Sequence, residues 1–414
     1  MSKTDVVVIG GGFAGLMAAL ISAEENKSVT LLTYGAGTFP LNSGLIDLLG
    51  YDENQQSVAS PKAALKDLAK EHPYHKIGYD TVEMAIQYFQ RLSKRQGFPY
   101  IGTSEKQQWI PTAAGQMKPS CLVPESMQGN VCFEKKNIVL AGVKNLKDYD
   151  AQLKADNIKK WLGDDKKYQI VELETGIESD RDLTTLDIAR WYNDEKNAES
   201  LLGQLKSMDG EDTVFLLPQI LGTQHAKVYT RLQAELKGSI VESTGLPPSP
   251  NGMRLRDMLL AALRQRKVRI VEKAKVTGAI GEKNICKAVI ADTHVREQTY
   301  YADRFILATG GFYSGGLSME GFGNVSEPIF HLPVQFENAE EKWSNEKMFS
   351  SEKQAFAKAG ICTDDSLRPV DAAGRVLYEN IFVIGRNLSG YDFCYEHSGN
   401  GVALASAYKA AMAK

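Results

Sequence analysis

Residues 6–15 read VVVIGGGFAG. Val6 to Ile9 are four β-branched apolar residues in succession, the composition of a strand buried on both faces of a parallel sheet. Gly10, Gly12 and Gly15 then follow with the spacing G-x-G-x-x-G. That spacing is common, and its meaning depends on its flanks. Downstream, Leu16–Ile21 (LMAALI) is rich in helix formers, Asn26 suits a helix C-terminus, and SVTLL (Ser28–Leu32) reads as a second strand. Strand, glycine turn, helix and strand within about thirty residues is the setting of a dinucleotide fingerprint. Gly10 permits the tight turn, Gly12 lets backbone approach a phosphate, and Gly15 lets helix and strand pack closely. The start of the helix presents free N–H groups and a positive dipole end. Gly10, Gly12, Phe13, Ala14 and Gly15 are therefore candidate cofactor contacts. The plainer alternative is a glycine turn with no ligand. A dinucleotide site ordinarily closes its second strand with Asp or Glu on a ribose hydroxyl. Here Thr33 holds that position, a weaker partner than a carboxylate.

The whole chain of 414 residues is 43% hydrophobic and 24% charged, with a net charge of −3. Nothing in that balance favours nucleic acid. No apolar run approaches the ~18 residues that span a bilayer, and Lys3 and Asp5 beside three glycines do not make a signal peptide. A cytoplasmic protein is expected, docked on a membrane through a partner if at all. The five cysteines (Cys121, Cys132, Cys286, Cys362, Cys394) are scattered, with no C-x-x-C pair, so neither a zinc site nor an iron–sulfur cluster is encoded. His72 and His75 are separated by Pro73, and no metal site is expected.

Beyond the fingerprint, PLNSGLIDLLG (Pro40–Gly50) offers Ser43 and the Gly44 amide to a ligand, or simply leads into a short helix over Leu45–Leu49. NIVLAG (Asn137–Gly142), YQIVELE (Tyr168–Glu174), TVFLLP (Thr213–Pro218) and GSIVES (Gly238–Ser243) alternate with helical stretches, which implies a second parallel sheet. After a proline-rich connector comes a helix over Arg254–Leu263, then VRIVEKAKVTGAI (Val268–Ile280) and KAVIAD (Lys287–Asp292), which read as antiparallel strands. RFILATGG (Arg304–Gly311) and ENIFVIG (Glu379–Gly385) repeat the opening pattern of buried strand and glycine exit, at Thr309–Gly310 and at Gly385. GNGVALA (Gly399–Ala405) opens a last helix. The expected fold is α/β: a Rossmann-like cofactor-binding domain with a parallel sheet, formed by residues 1–100 and 250–414 and read as flavin-binding through the resemblance given next, interrupted by an α/β insertion over residues 101–249 for substrate or partner.

The three glycine exits together resemble the two-dinucleotide-binding flavoproteins related to fumarate reductase and glutathione reductase. In that superfamily the last helix points its N-terminus at the flavin pyrimidine, which brings Gly401 and Val402 in as candidate contacts. NSGLIDLL, EHPY, LPPSPNGMRLRDML, ATGGFYSGGL, EPIFHLP and TDDSLRP, with the C-terminal segment, extend the resemblance along nearly the whole chain to the family formed by the B subunits of anaerobic glycerol-3-phosphate dehydrogenase. That resemblance implies oxidation of sn-glycerol 3-phosphate to dihydroxyacetone phosphate. It also implies a catalytic A subunit and an iron–sulfur C subunit that anchors the complex at the inner face of the membrane and passes electrons towards quinone. It implies FMN as the cofactor, which suits Thr33 because FMN carries no adenosine; FAD is the alternative.

Such chemistry needs a phosphate clamp and a proton acceptor. Arg254 and Arg368 are the candidate clamps, against ordinary ion pairs; His331 and His397 are the candidate acid or base, against hydrogen-bonded structural histidines. Arg256 shares the Arg254 helix on a different face, and Lys135–Lys136 reads as a solvated pair. Arg386 stands where relatives carry an acid that touches the ribityl chain, so that contact is not carried over. A flavin electron-relay subunit whose partner does the chemistry, and an unrelated flavin reductase, are the competing readings.

Overall fold

The computed structural model describes residues 3–321, 323–337, 339–347 and 353–413. They form two compact units, residues 1–38, 46–89 and 259–414 in one, residues 39–45 and 90–258 in the other. The second unit thus begins earlier and ends later than the 101–249 expected, and takes Ser43 and Gly44 with it.

In chain order the strands that matter are β1 (Thr4–Ile9), β2 (Val29–Thr33), β3 (Asn137–Val143), β4 (Lys167–Leu173), β5 (Thr213–Leu217), β6 (Ser239–Glu242), β7 (Arg269–Glu272), β8 (Lys275–Glu282), β9 (Ile285–Asp292), β10 (Glu297–Leu307) and β11 (Ile381–Val383). The helices named below are α1 (Phe13–Glu24), α2 (Pro250–Gln265) and α3 (Gly399–Met412).

The first unit is built on a seven-stranded sheet in the order β7-β2-β1-β10-β9-β8, with β11 on the other flank of β10. Its central pairs are parallel: Ile9 faces Leu32 on one side and Leu307 on the other, and Leu307 faces Val383. The carboxyl ends of β1, β2, β10 and β11 therefore lie along one edge, where open α/β sheets bind ligands. Val6–Ile9 are buried, as an apolar run with no alternation predicts. Helix α1 is buried on nearly every side, Phe13 through Ser22, which explains a sequence that is apolar all round; it packs on α3. It ends as Asn26 foretold: Asn26 adopts φ +59°, its N–H meets Ala23 O at 3.2 Å and the Lys27 N–H meets Ser22 O at 3.2 Å. This is the paired closure of a helix by a left-handed residue.

Two local expectations are corrected. Leu45–Leu49 is not helical. Its carbonyls serve distant donors instead: Asp47 O accepts the Gly401 N–H at 3.0 Å, and Leu48 O accepts the Tyr74 hydroxyl at 2.9 Å. The segment 268–280 is not one strand. Lys273, at φ +54°, divides it, so that β7 joins β2 in parallel while β8 turns back antiparallel to β9.

The second unit holds a wholly parallel sheet in the order β6-β5-β3-β4. Its core includes the amine of Lys154, fully buried, which donates to the Tyr149 hydroxyl at 2.7 Å and to Ser243 Oγ. Desolvation lowers its pKa to about 7; an amine held by hydroxyls alone is kept more easily neutral than charged.

Candidate functional site

The three glycine exits of the first unit meet. A Cβ on Gly10, which sits at φ +124°, would lie 2.1 Å from Ala308 O, at the end of β10. A Cβ on Gly385, at φ +62°, would lie 2.9 Å from the Ala14 Cβ on α1. Both positions exclude any other residue on two grounds, conformation and space. Gly15 lies against Gly10 O in the same way. Asn387 ties the remaining pair: its Oδ1 accepts the Gly310 N–H at 2.8 Å and its Nδ2 donates to Thr309 Oγ1 at 3.0 Å. Asn387, fully buried, was not foreseen; a polar residue shortly beyond a buried strand was its only sequence signal.

Gly12 caps α1 with no side-chain bond, and the space its Cβ would occupy is open for 4 Å around. Helix geometry leaves the N–H groups of the first turn, Phe13, Ala14 and Gly15, without intrahelical partners. This is the cradle a phosphate requires. A Cβ on Gly37 would lie 2.9 Å from Gly12 Cα, so the loop after β2 folds back beside the cradle.

Next to it, at the carboxyl ends of β10 and β11, opens a cavity of about 570 Å³. Its walls are largely aromatic: Phe312, Tyr313, Phe356, Tyr391, Phe393 and Tyr395. Three functional side chains line it as well, Arg386, Asp392 and His397. The Arg386 guanidinium lies over the Phe393 ring, 3.9 Å from its centroid. Asp392 is buried, and burial pushes its carboxyl above the usual range, against the opposing pull of the Tyr395 and Cys394 N–H groups at 3.1 and 3.2 Å. His397 packs edge-on against Tyr51, with ring centroids 4.8 Å apart. Its segment is pinned by Glu396, whose Oε1 accepts from His72 Nε2 at 2.9 Å and from Ser398 Oγ at 2.5 Å. Asp392 escaped sequence reading; nothing in GYDFCY announces that its aspartate is enclosed.

Several expected contacts are corrected by this geometry. Arg254 is no phosphate clamp: it is buried within the second unit and forms a two-pronged pair with Glu242 at 2.6 and 3.0 Å, its Nε donating to Gly222 O at 2.8 Å. Arg368 is held by Asp364 at 2.8 Å and by Glu379. Since Glu379 lies two residues before β11, Arg368 stands at the amino end of the strands, away from the cavity. His331 is exposed, at φ +55°, and is not among the cavity's lining residues. Gly401 gives its N–H to Asp47 O at 3.0 Å and Val402 to Ser398 O at 2.9 Å, so neither amide is offered to a ligand. Thr33 directs its hydroxyl to Gly35 O at 2.7 Å. The Gly44 N–H is taken by Asn42 Oδ1 at 2.7 Å, and Ser43 Oγ accepts the Leu45 N–H at 3.4 Å. Among the described residues there is no cluster suited to a metal and no helix long and apolar enough to cross a membrane.

A phosphate cradle beside an aromatic cavity fits a flavin, whose ring is flat and apolar and whose tail is anionic. Comparison with known proteins bears this out. Residues 5–402 match the FAD binding domain family. The probable B subunit of an anaerobic glycerol-3-phosphate dehydrogenase from Halobacterium salinarum is 30% identical over 425 residues, 99% of this chain and 97% of the relative. The B subunit of the anaerobic glycerol-3-phosphate dehydrogenase of Pectobacterium atrosepticum is 27% identical over 98% of this chain and 97% of its own length. Among solved structures, a 3-ketosteroid delta1-dehydrogenase from Sterolibacterium denitrificans aligns over 99% of both chains at 12% identity, with a TM-score of 0.48. The family description names FAD, so FMN, expected from the resemblance and thought to suit Thr33, has no support from these matches. The chain binds flavin and is a flavin-dependent oxidoreductase subunit: it belongs to the FAD binding domain family and, within it, to the family formed by the B subunits of anaerobic glycerol-3-phosphate dehydrogenase.

Proposed function

We propose that this chain oxidises sn-glycerol 3-phosphate to dihydroxyacetone phosphate, as one subunit of a complex that passes electrons towards quinone. The observation that carries the reading is the cavity at the carboxyl ends of β10 and β11, which brings together a cation (Arg386) and two proton-accepting groups (Asp392, His397), with Gly385, the neighbour of Arg386, against Ala14 of the cradle. The names of the relatives supply the substrate. A flavin held there would supply the acceptor for the hydride leaving C2 of the substrate.

The chain's own residues do the rest. The α1 N-terminus would hold the anionic tail of the cofactor through the backbone N–H groups of Phe13, Ala14 and Gly15. The aromatic walls make the cavity largely apolar and help exclude water. The proton leaving the substrate hydroxyl needs a base within hydrogen-bond reach; His397 and the Asp392 carboxylate are the cavity-lining groups able to take it. The partners implied are a catalytic A subunit and an iron–sulfur C subunit that holds the complex at the inner face of the membrane. FAD is the cofactor best supported by the family description, with FMN as the alternative; the mass of the cofactor released on denaturation separates them.

The test is anaerobic addition of glycerol 3-phosphate to the purified chain. Loss of the flavin's visible absorbance is expected. Absorbance that changes only when the partner subunit is added would instead assign this chain to electron relay.

A further inference from the structure

The substrate reading needs a cation that meets a phosphate, and the two arginines expected to supply it are committed elsewhere, Arg254 to Glu242 and Arg368 to Asp364 and Glu379. Arg386 differs from both. It lines the cavity, and among the described residues no carboxylate lies within ion-pair distance of its guanidinium. Its guanidinium stacks on the face of Phe393. A guanidinium stacked on a ring keeps its N–H edge free and aimed in a fixed plane, and that edge matches the paired oxygens of a phosphate. Partly enclosed, with its backbone fixed in the Gly385–Asn387 turn, it is a preorganised cation with no carboxylate partner among the described residues.

We propose that Arg386 is the phosphate-binding residue of this cavity, its ligand a phosphate monoester. The proposal rests on the substrate reading for the source of that phosphate, not for the chemistry of the site. Two sources offer the group, the substrate and the cofactor tail. The α1 cradle already serves the tail, which favours the substrate.

The experiment compares the wild-type flavoprotein with Arg386→Gln and Arg386→Lys, each checked for folding by its thermal transition. Binding of dihydroxyacetone phosphate and of glycerol is measured by calorimetry, and flavin content by absorbance. Arg386→Gln is expected to weaken dihydroxyacetone phosphate by about ten- to a hundredfold, the value of hydrogen bonds to a charged group, with Arg386→Lys intermediate. Flavin content and any response to glycerol stay unchanged. Flavin loss in both variants with phosphate affinity retained would assign the same anion contact to the cofactor tail. Unchanged affinity together with unchanged flavin overturns the proposal, and does so even if glycerol 3-phosphate still reduces the wild type. Conversely, a wild type that binds dihydroxyacetone phosphate through Arg386 yet is not reduced by glycerol 3-phosphate leaves this site standing and removes the substrate-oxidation reading.

Discussion

Replacing Arg254 by Met should destabilise the protein severely, and the reason lies in what it leaves behind. The Glu242 carboxylate is fully buried. It accepts two bonds from Arg254, one from Ser126 Oγ at 2.8 Å and one from the Leu221 N–H at 2.9 Å. Without the guanidinium, two neutral donors face a buried negative charge, and Gly222 O loses its partner. Breaking a buried pair from one side costs about 3–5 kcal/mol, a large share of a domain's total stability of roughly 5–15 kcal/mol. Removing both partners, as in Arg254→Met with Glu242→Leu, takes away the stranded charge and should recover most of that loss. Urea denaturation followed by circular dichroism on the two single variants and the double variant gives the coupling energy directly. The double variant also separates structure from ligand binding: it lacks Arg254, and it should bind dihydroxyacetone phosphate as the wild type does. A single variant that loses under about 1 kcal/mol, or a folded double variant that no longer binds the phosphate, would refute the structural assignment of Arg254.

Gly385→Ala places a Cβ 2.9 Å from that of Ala14 at a left-handed position; a loss of about 1–3 kcal/mol and a lower flavin content per chain are expected, read by thermal transition and absorbance. Thr33→Val removes the bond to Gly35 O and should cost about 1 kcal/mol while flavin retention holds; a marked drop in retention would restore Thr33 as a ribose contact. Lys154 has its folded-state pKa lowered by burial to about 7 from the ordinary 10.5. Between those values the unfolded chain binds more protons, so this group makes stability rise with pH; its penalty is complete below pH 7 and fades towards 10.5. Lys154→Met should lack that rise, on the order of 2 kcal/mol between pH 7 and 9, measured as the difference in urea midpoints between wild type and variant.

The sheet of the first unit was legible because its strands are apolar runs that stop at glycine. Gly10, Gly15 and Gly385 sit where only glycine fits, and sequence spacing exposes such positions. Charged residues were far less legible, because their roles depend on partners distant along the chain. Arg254 reads as a clamp after a proline-rich connector, yet Glu242 at the end of the buried run Ile240–Val241 carried the opposite message: an acid closing an apolar strand needs an internal cation. Gly401 and Val402 failed for a geometric reason. The first free amides of a helix belong to its opening residues, and by Gly401 the close approach of Asp47 O has already claimed the donor. Asp392 escaped, and Arg386 was read only as a departure from an expected acid, because the cavity is lined partly by residues 354–359, a segment with no fingerprint of its own.

One short stretch, residues 385–399, carries the groups to which the proposed chemistry is assigned. It begins at the exit of β11 and ends at the first turn of α3, and between them it carries Arg386, Asp392, Phe393 and His397, all on the cavity. Its two ends are anchored independently, Gly385 through its N–H to Ser406 Oγ at 3.0 Å and Glu396 through its bond to His72. Within it the Asp392 carboxylate accepts the Cys394 and Tyr395 N–H groups and the Arg386 guanidinium stacks on Phe393, contacts that restrain the middle of the stretch as well as its ends. Such a constellation works only when its members are placed together. Changes at His72 or Ser406, neither of which lines the cavity, should therefore disturb phosphate affinity and proton uptake in concert, whereas changes at Arg386 alone should move the first and spare the second.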